Sequence, residues 1–143
     1  MVCVNDILTS QGFSDYTPTV TFLEDGRHAR LEHALYYRDK KGDLHVAWKG
    51  MIFDGASIPR LFWRLIGSPF TGKYRVAAII HDAECKQVWH LAADLFRLAR
   101  EQIDATFLEM MAHLGVSKYK RWAMYRAVRA ASRAVWLKKC LLG

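Results

Sequence analysis

Disulfide chemistry is the first thing this sequence lacks the means for. Its three cysteines, Cys3, Cys85 and Cys140, are odd in number, widely scattered and without CxxC spacing. They supply neither a disulfide framework nor a zinc-ligand set, and a reducing compartment follows. His28, His33, His45, His90 and His113 show no HxxxH spacing either, so a zinc site built from several histidines has little support. No uncharged apolar run approaches the ~18 residues needed to cross a bilayer. The opening MVCVNDILTS has no basic region and meets Asp6 early, which predicts no cleaved signal peptide. There is no glycine or proline from Lys73 to Leu114, which excludes turns of the usual chemistry from that span and predicts helix. After Gly115 there is no acidic residue, but Lys118, Lys120, Arg121, Arg126, Arg129, Arg133, Lys138 and Lys139 are all present. These eight leave 13 basic residues against 14 acidic ones elsewhere, so the net charge of +7 belongs to one element and hints at an anionic partner.

What is present describes one α+β domain over residues 1–143, large enough to bury a core unaided. Strands are expected over about 17–53: YTPTVTFL, ARLEHALYYR and LHVAWKGMIF, separated by turns at Glu24–Asp25–Gly26 and Asp39–Asp43. They predict a small antiparallel β-meander. DGASIPRLFWRLIGSP then reads as a loop and short helix over 54–67, with Pro59 at a first helical position. The helical part, 73–140, is too long for one helix, and an interruption is expected near Cys85–Leu91. Gly115 fits a C-terminal cap, and the basic last helix is expected from about Ser117 to about Lys139. Three or four helices therefore pack on one another and on the strands.

The segment AAIIHDAEC, Ala77–Cys85, places a histidine and an acid directly after four apolar residues. Buried charge demands a partner, a metal or neutralisation. Consecutive helix positions point about 100° apart, so His81 and Asp82 must serve different neighbours. His81 could act as general base if a carboxylate fixes its other ring nitrogen, with Asp94 and Asp104 the candidates. Asp82 could bind a hard cation or hold a loop. Glu84 is expected at the surface. Cys85, one turn after His81, reads as a small buried thiol rather than an activated thiolate. Asp54 could be a ligand or a catalytic acid, and a turn-starting aspartate explains it as well. Ser57 lacks a G-x-S-x-G frame and reads as a cap. Arg60 could meet an anionic substrate or pair with Asp54 or Asp82.

DGASIPRLFW, AAIIHD, IDATFLEMMAHLGVS and MYRAVR together resemble the blocks of a phage and prophage family, domain of unknown function family 1353, over roughly Leu35 to Trp136. The resemblance implies that Asp104, in the pattern Asp104-Ala105-Thr106-Phe107, follows the His–Asp pair as its partner. The chain departs from the family at Cys85, where a tyrosine is usual. A phage gene product implies the host cytoplasm or the virion as location. A weaker local likeness is to phospholipases A2, in which a helical histidine activates water, the next aspartate binds calcium and a second aspartate orients the histidine. That resemblance implies His81 and Asp104 as catalytic residues and Asp82 as a calcium ligand; the residues themselves add Asp54 as a further candidate metal ligand, calcium or zinc as the candidate ion, and Ser57 and Arg60 as candidates at a substrate or loop. No glycine-rich, cysteine-flanked loop like theirs precedes the pair.

On the last helix Arg126, Arg129 and Arg133 form a stripe, with Trp122, Tyr125 and Trp136 on or near it. Basic and aromatic side chains so interleaved can grip phosphates or lipid headgroups. The favoured reading is that the rings are buried while arginine stems cover them, which makes nucleic acid the less favoured partner. Two classes of function follow. One is a hydrolase with a His81–Asp82–Asp104 centre. The other is a non-catalytic virion, tail-assembly or host-interaction protein, in which the pair anchors the fold and Trp122, Arg126, Arg129, Arg133 and Trp136 form the interface.

Overall fold

A computed structural model describes residues 10–53 and 74–142. It is α+β: antiparallel strands first, then three helices. The DGASIPR block and the short helix over 54–67, with Asp54, Ser57 and Arg60, lie outside the described residues.

The strands are β1 (Gly12–Phe13), β2 (Val20–Phe22), β3 (Ala29–Leu31), β4 (Leu35–Arg38), β5 (Leu44–Ala47) and β6 (Ile52–Phe53). They make two three-stranded antiparallel sheets, in the orders β1-β4-β5 and β2-β3-β6. This differs from a single meander of three long strands. ARLEHALYYR divides after Leu31 and LHVAWKGMIF after Ala47, so each half joins a different sheet. Gly50, at φ +86°, turns the second of these. Its N–H bonds to the Leu31 carbonyl and Leu31 N–H bonds to the Met51 carbonyl, which ties the turn to β3. Alternation then buries Leu35 and Tyr37 of β4 on the helix side.

The helices are α1 (Arg75–Val88), α2 (Ala93–His113) and α3 (Lys118–Leu142). The glycine- and proline-free span breaks at Trp89–Ala92, inside and just beyond the expected interruption. Along α2, Phe96, Arg100, Ile103, Asp104, Phe107, Met110 and Met111 are buried at three- and four-residue spacing, one face of a 3.6-residue period. Gly115 ends α2 at φ +76°, with its N–H on the Ala112 carbonyl and Val116 N–H on that of Met111. This paired bonding is the Schellman arrangement, which favours glycine at the left-handed position. α1 packs between the strands and α2, and α2 packs along α3. The core joins Leu31, Leu35, Ile79, Ile80, Phe107, Met110 and Met124.

Tyr37 ties strand to helix at the edge of this core. It is wholly buried, donates its hydroxyl to Glu109 Oε2 at 2.5 Å and accepts from Gln11 Nε2 at 3.1 Å. Burial and the Glu109 carboxylate both push its pKa upward. Tyr37→Phe leaves the ring in place but removes a hydrogen bond to a charged group, and should lower stability by about 1–3 kcal/mol. The urea midpoint reads this directly, and an unchanged midpoint would remove Glu109 from the list of stabilising partners.

Candidate functional site

α1 is buried on most of its circumference, so the polar residues that interrupt its apolar run must meet other elements. His81 turns towards α2, with its ring against Phe107 at 4.6 Å between centroids. Its Nε2 lies 2.7 Å from Asp104 Oδ1. Asp94, the other candidate partner, is exposed in the first turn of α2, where a negative charge suits the helix dipole. Asp82 points elsewhere, to Lys86 Nζ at 3.5 Å, and Lys86 also donates to the Ile52 carbonyl of β6. The adjacent pair thus divides its neighbours as helical geometry requires.

Asp104 is fully buried and is the point where the three helices meet. Its Oδ1 faces His81, and its Oδ2 accepts from Ser132 Oγ at 2.6 Å and Arg129 Nη1 at 2.9 Å. Arg100, one turn earlier on α2, brings Nη2 to 3.7 Å from Oδ1. Burial alone would raise the Asp104 pKa, but the His81 and Ser132 hydrogen bonds and the nearby cations hold it below the ordinary carboxylate value. Burial would likewise lower that of His81, but the Cys85 sulfur and the Asp104 carboxylate outweigh it and push the imidazole up to about 9. Cys85 Sγ is 3.7 Å from both ring nitrogens. Equal distances place the sulfur midway between them, off either N–H axis, so the contact is not an aligned thiol–imidazole hydrogen bond.

The interface stripe divides as well. Arg126 and Arg133 are exposed, and Trp122 stands half out with its ring edge-on to Tyr125 at 5.5 Å. Arg129, placed with them on the stripe, turns inward to Asp104. Trp136 is half-buried beneath the Arg97 guanidinium, 5.5 Å from its ring centre. Ser132 and Arg100 had no mark in the sequence: one reads as a solvated helical serine, the other as a surface cation.

A second polar group also escaped the sequence reading. His45 on β5 places Nε2 2.9 Å from Asp39 Oδ2 and Nδ1 2.9 Å from Glu84 Oε2. Glu84 is therefore a partly buried partner of β5, not a surface acid. Burial lowers the His45 pKa, but Glu84 and Asp39 raise it further, to about 9. The group borders an acidic cleft of about 580 Å³ that reaches Asp43 and Glu109. Separations of 6 and 39 residues carry no sequence signal. Among the described residues, no three His, Cys, Asp or Glu side chains are placed to hold a metal ion, and no helix is long and apolar enough to cross a membrane.

Comparisons with known proteins take in part of this arrangement. The uncharacterized protein y4jT of Sinorhizobium fredii (strain NBRC 101917 / NGR234) is 42% identical over 79 residues, 55% of this chain and 21% of that protein. The chain thus spans about a fifth of the length of this curated relative. No solved structure matches. A family model described as a protein of unknown function matches residues 29–128, from β3 into α3, and takes in His81, Asp82 and Asp104. The chain belongs to this family, DUF1353.

Proposed function

We propose that the chain is a non-catalytic interaction protein, in which His81 and Asp104 anchor three helices together and the basic side of α3 receives an anionic partner. The observation that carries the reading is the saturation of Asp104. Both of its oxygens are engaged, by groups from α1 and α3, and it has no exposed surface. His81 is only 1% exposed and its Nε2 is already taken by Asp104, whereas a general base must reach its water. The partner side rests on α3, where Arg126 and Arg133 border a shallow hollow of about 470 Å³ with Leu137. A phage or prophage assembly component, or a protein that meets a host factor, would use such a surface.

A hydrolase is the second reading, favoured by the 2.7 Å His81–Asp104 contact, which fixes the imidazole tautomer as in known acid–base dyads. His81 would then activate water, Asp104 would steady it, and Asp82 would hold a cation or the Asp54 loop.

Elution from immobilised heparin, a generic polyanion, tests the interface. The Arg126→Gln/Arg133→Gln protein should leave the column at clearly lower salt than wild type, with an unchanged unfolding midpoint. Lys40→Gln/Lys41→Gln, which removes the same charge from the β4–β5 turn, should shift it much less. Equal shifts from the two pairs would mean that only net charge matters and would overturn the α3 assignment.

A further inference from the structure

Between α2 and α3, next to Asp104, lies a cavity of about 250 Å³ bordered by Arg97, Arg100, Glu101, Arg129, Arg133 and Trp136. Two of its lining residues, Arg100 and Trp136, carry buried donors that the protein leaves unused. Arg100 is 5% exposed, yet its buried Nε has no hydrogen-bond partner, and its nearest carboxylate oxygen is 3.7 Å from Nη2. Trp136 Nε1 is also buried without a partner. Buried donors are normally satisfied, because each unmade bond costs desolvation with no return. Charge is unbalanced in the same place. Arg100, Arg129 and His81 share the single carboxylate of Asp104. The other acid here, Glu101, is half-exposed and 3.9 Å from Arg129 Nη2. Arg97 and Arg133 add two more cations on the solvent side.

We propose that this cavity binds a phosphoryl group, either free inorganic phosphate or the head of a phosphomonoester, held by Arg100 and Trp136 on the inside and by Arg97 and Arg133 at the opening. The inference deepens the interaction reading and rests on it, since it names the group that the anionic partner presents. Size favours a compact head group, because pockets that enclose whole drug-sized ligands run from about 300 Å³ upward. Donor arrangement favours phosphate over carboxylate. Arginine forks and an indole N–H from two helices suit three oxygens carrying about −1.5 to −2 charge better than one planar monoanion. Arg129 and Ser132 border the cavity while bonding Asp104, so an occupant would also brace the three-helix junction.

The test is a titration of the full ¹⁵N-labelled chain with inorganic phosphate and, separately, phenyl phosphate, at ionic strength held constant with chloride. Trp136→Phe identifies the Trp136 indole resonance by its disappearance. The expected result is that this resonance shifts and saturates, and that Arg100→Lys weakens binding by about tenfold or more, because lysine keeps the charge but loses Nε and the planar fork. Exposed Arg97→Gln gives the same comparison should Arg100→Lys fail to fold. Tighter binding of phenyl phosphate points to a phosphomonoester, and equal binding to free phosphate. No shift, a shift that never saturates, or undiminished binding by both variants overturns the site. Heparin selectivity without phosphate saturation would remove the cavity while leaving the α3 interface. Saturation without heparin selectivity would leave the cavity and remove the broader interface.

Discussion

Asp104→Asn is expected to lower the unfolding free energy by about 3–5 kcal/mol, the range seen when one partner of a buried ion pair is removed. Asparagine keeps the volume but loses the charge and one acceptor oxygen, and so leaves His81 or Arg129 facing an NH2 group that can only donate. Both cations would then sit in a junction whose single buried carboxylate has gone. At about 4 °C per kcal/mol for a domain of this size, the midpoint should fall by about 12–20 °C. Ser132→Ala removes one neutral donor from the same oxygen and should cost about 1–3 kcal/mol. Asp94→Asn, exposed at the start of α2, should cost under about 1 kcal/mol. Thermal and urea unfolding of the three variants gives the comparison. An Asp104→Asn protein as stable as Asp94→Asn would sink the anchor reading and return Asp104 to consideration as a catalytic carboxylate.

The sequence announced the helices more clearly than the sheets, and there is a physical reason for the difference. α2 repeats its apolar residues along one face and ends at a glycine that its cap needs, so both its existence and its end are local properties. The division of ARLEHALYYR between two sheets is not local. Glu32–Ala34 contains no glycine or proline, and the bend there depends on what β2 and β6 offer Leu31 and Ala29. The site shows the same contrast. His81 and Asp82 stood out because polar residues interrupted an apolar run, and the family resemblance singled out Asp104. The bond from Arg129 to Asp104 was not legible because Arg129 keeps a helical interval with Arg126 and Arg133. On α3 it stands about 60° round from Arg126, on the side of buried Ser132, and that angle is enough to turn it from solvent to Asp104. His45 could not be read at all, since its two carboxylates come from the turn before β5 and from α1.

Stability should fall as pH rises from about 6.5 to about 9, by roughly 2–4 kcal/mol for each of two histidines. His81 and His45 are both raised from 6.5 to about 9. Below about 6.5 they carry their protons in folded and unfolded chains alike, so the stabilisation is fully present. Between the two values the unfolded chain releases protons that the folded one keeps, so folding weakens with each step in pH and the contribution is gone above about 9. The acid side has the opposite sign. Asp39 and Asp104 are held below the ordinary carboxylate value, and their stabilisation disappears as pH falls through their folded pKa values. The optimum therefore lies between about pH 5 and 6.5. For His45 the bonding agrees independently, because two carboxylates on two ring nitrogens require both to carry hydrogen. His45→Gln should remove about half of the alkaline slope in urea midpoints measured from pH 5.5 to 9.5, and the slope that remains reports on His81. The remainder also separates the two functional readings. An imidazolium at neutral pH can bind Asp104 but cannot take a proton from water. If the His45→Gln protein shows no slope at all, His81 is neutral, and the hydrolase regains the base that it needs.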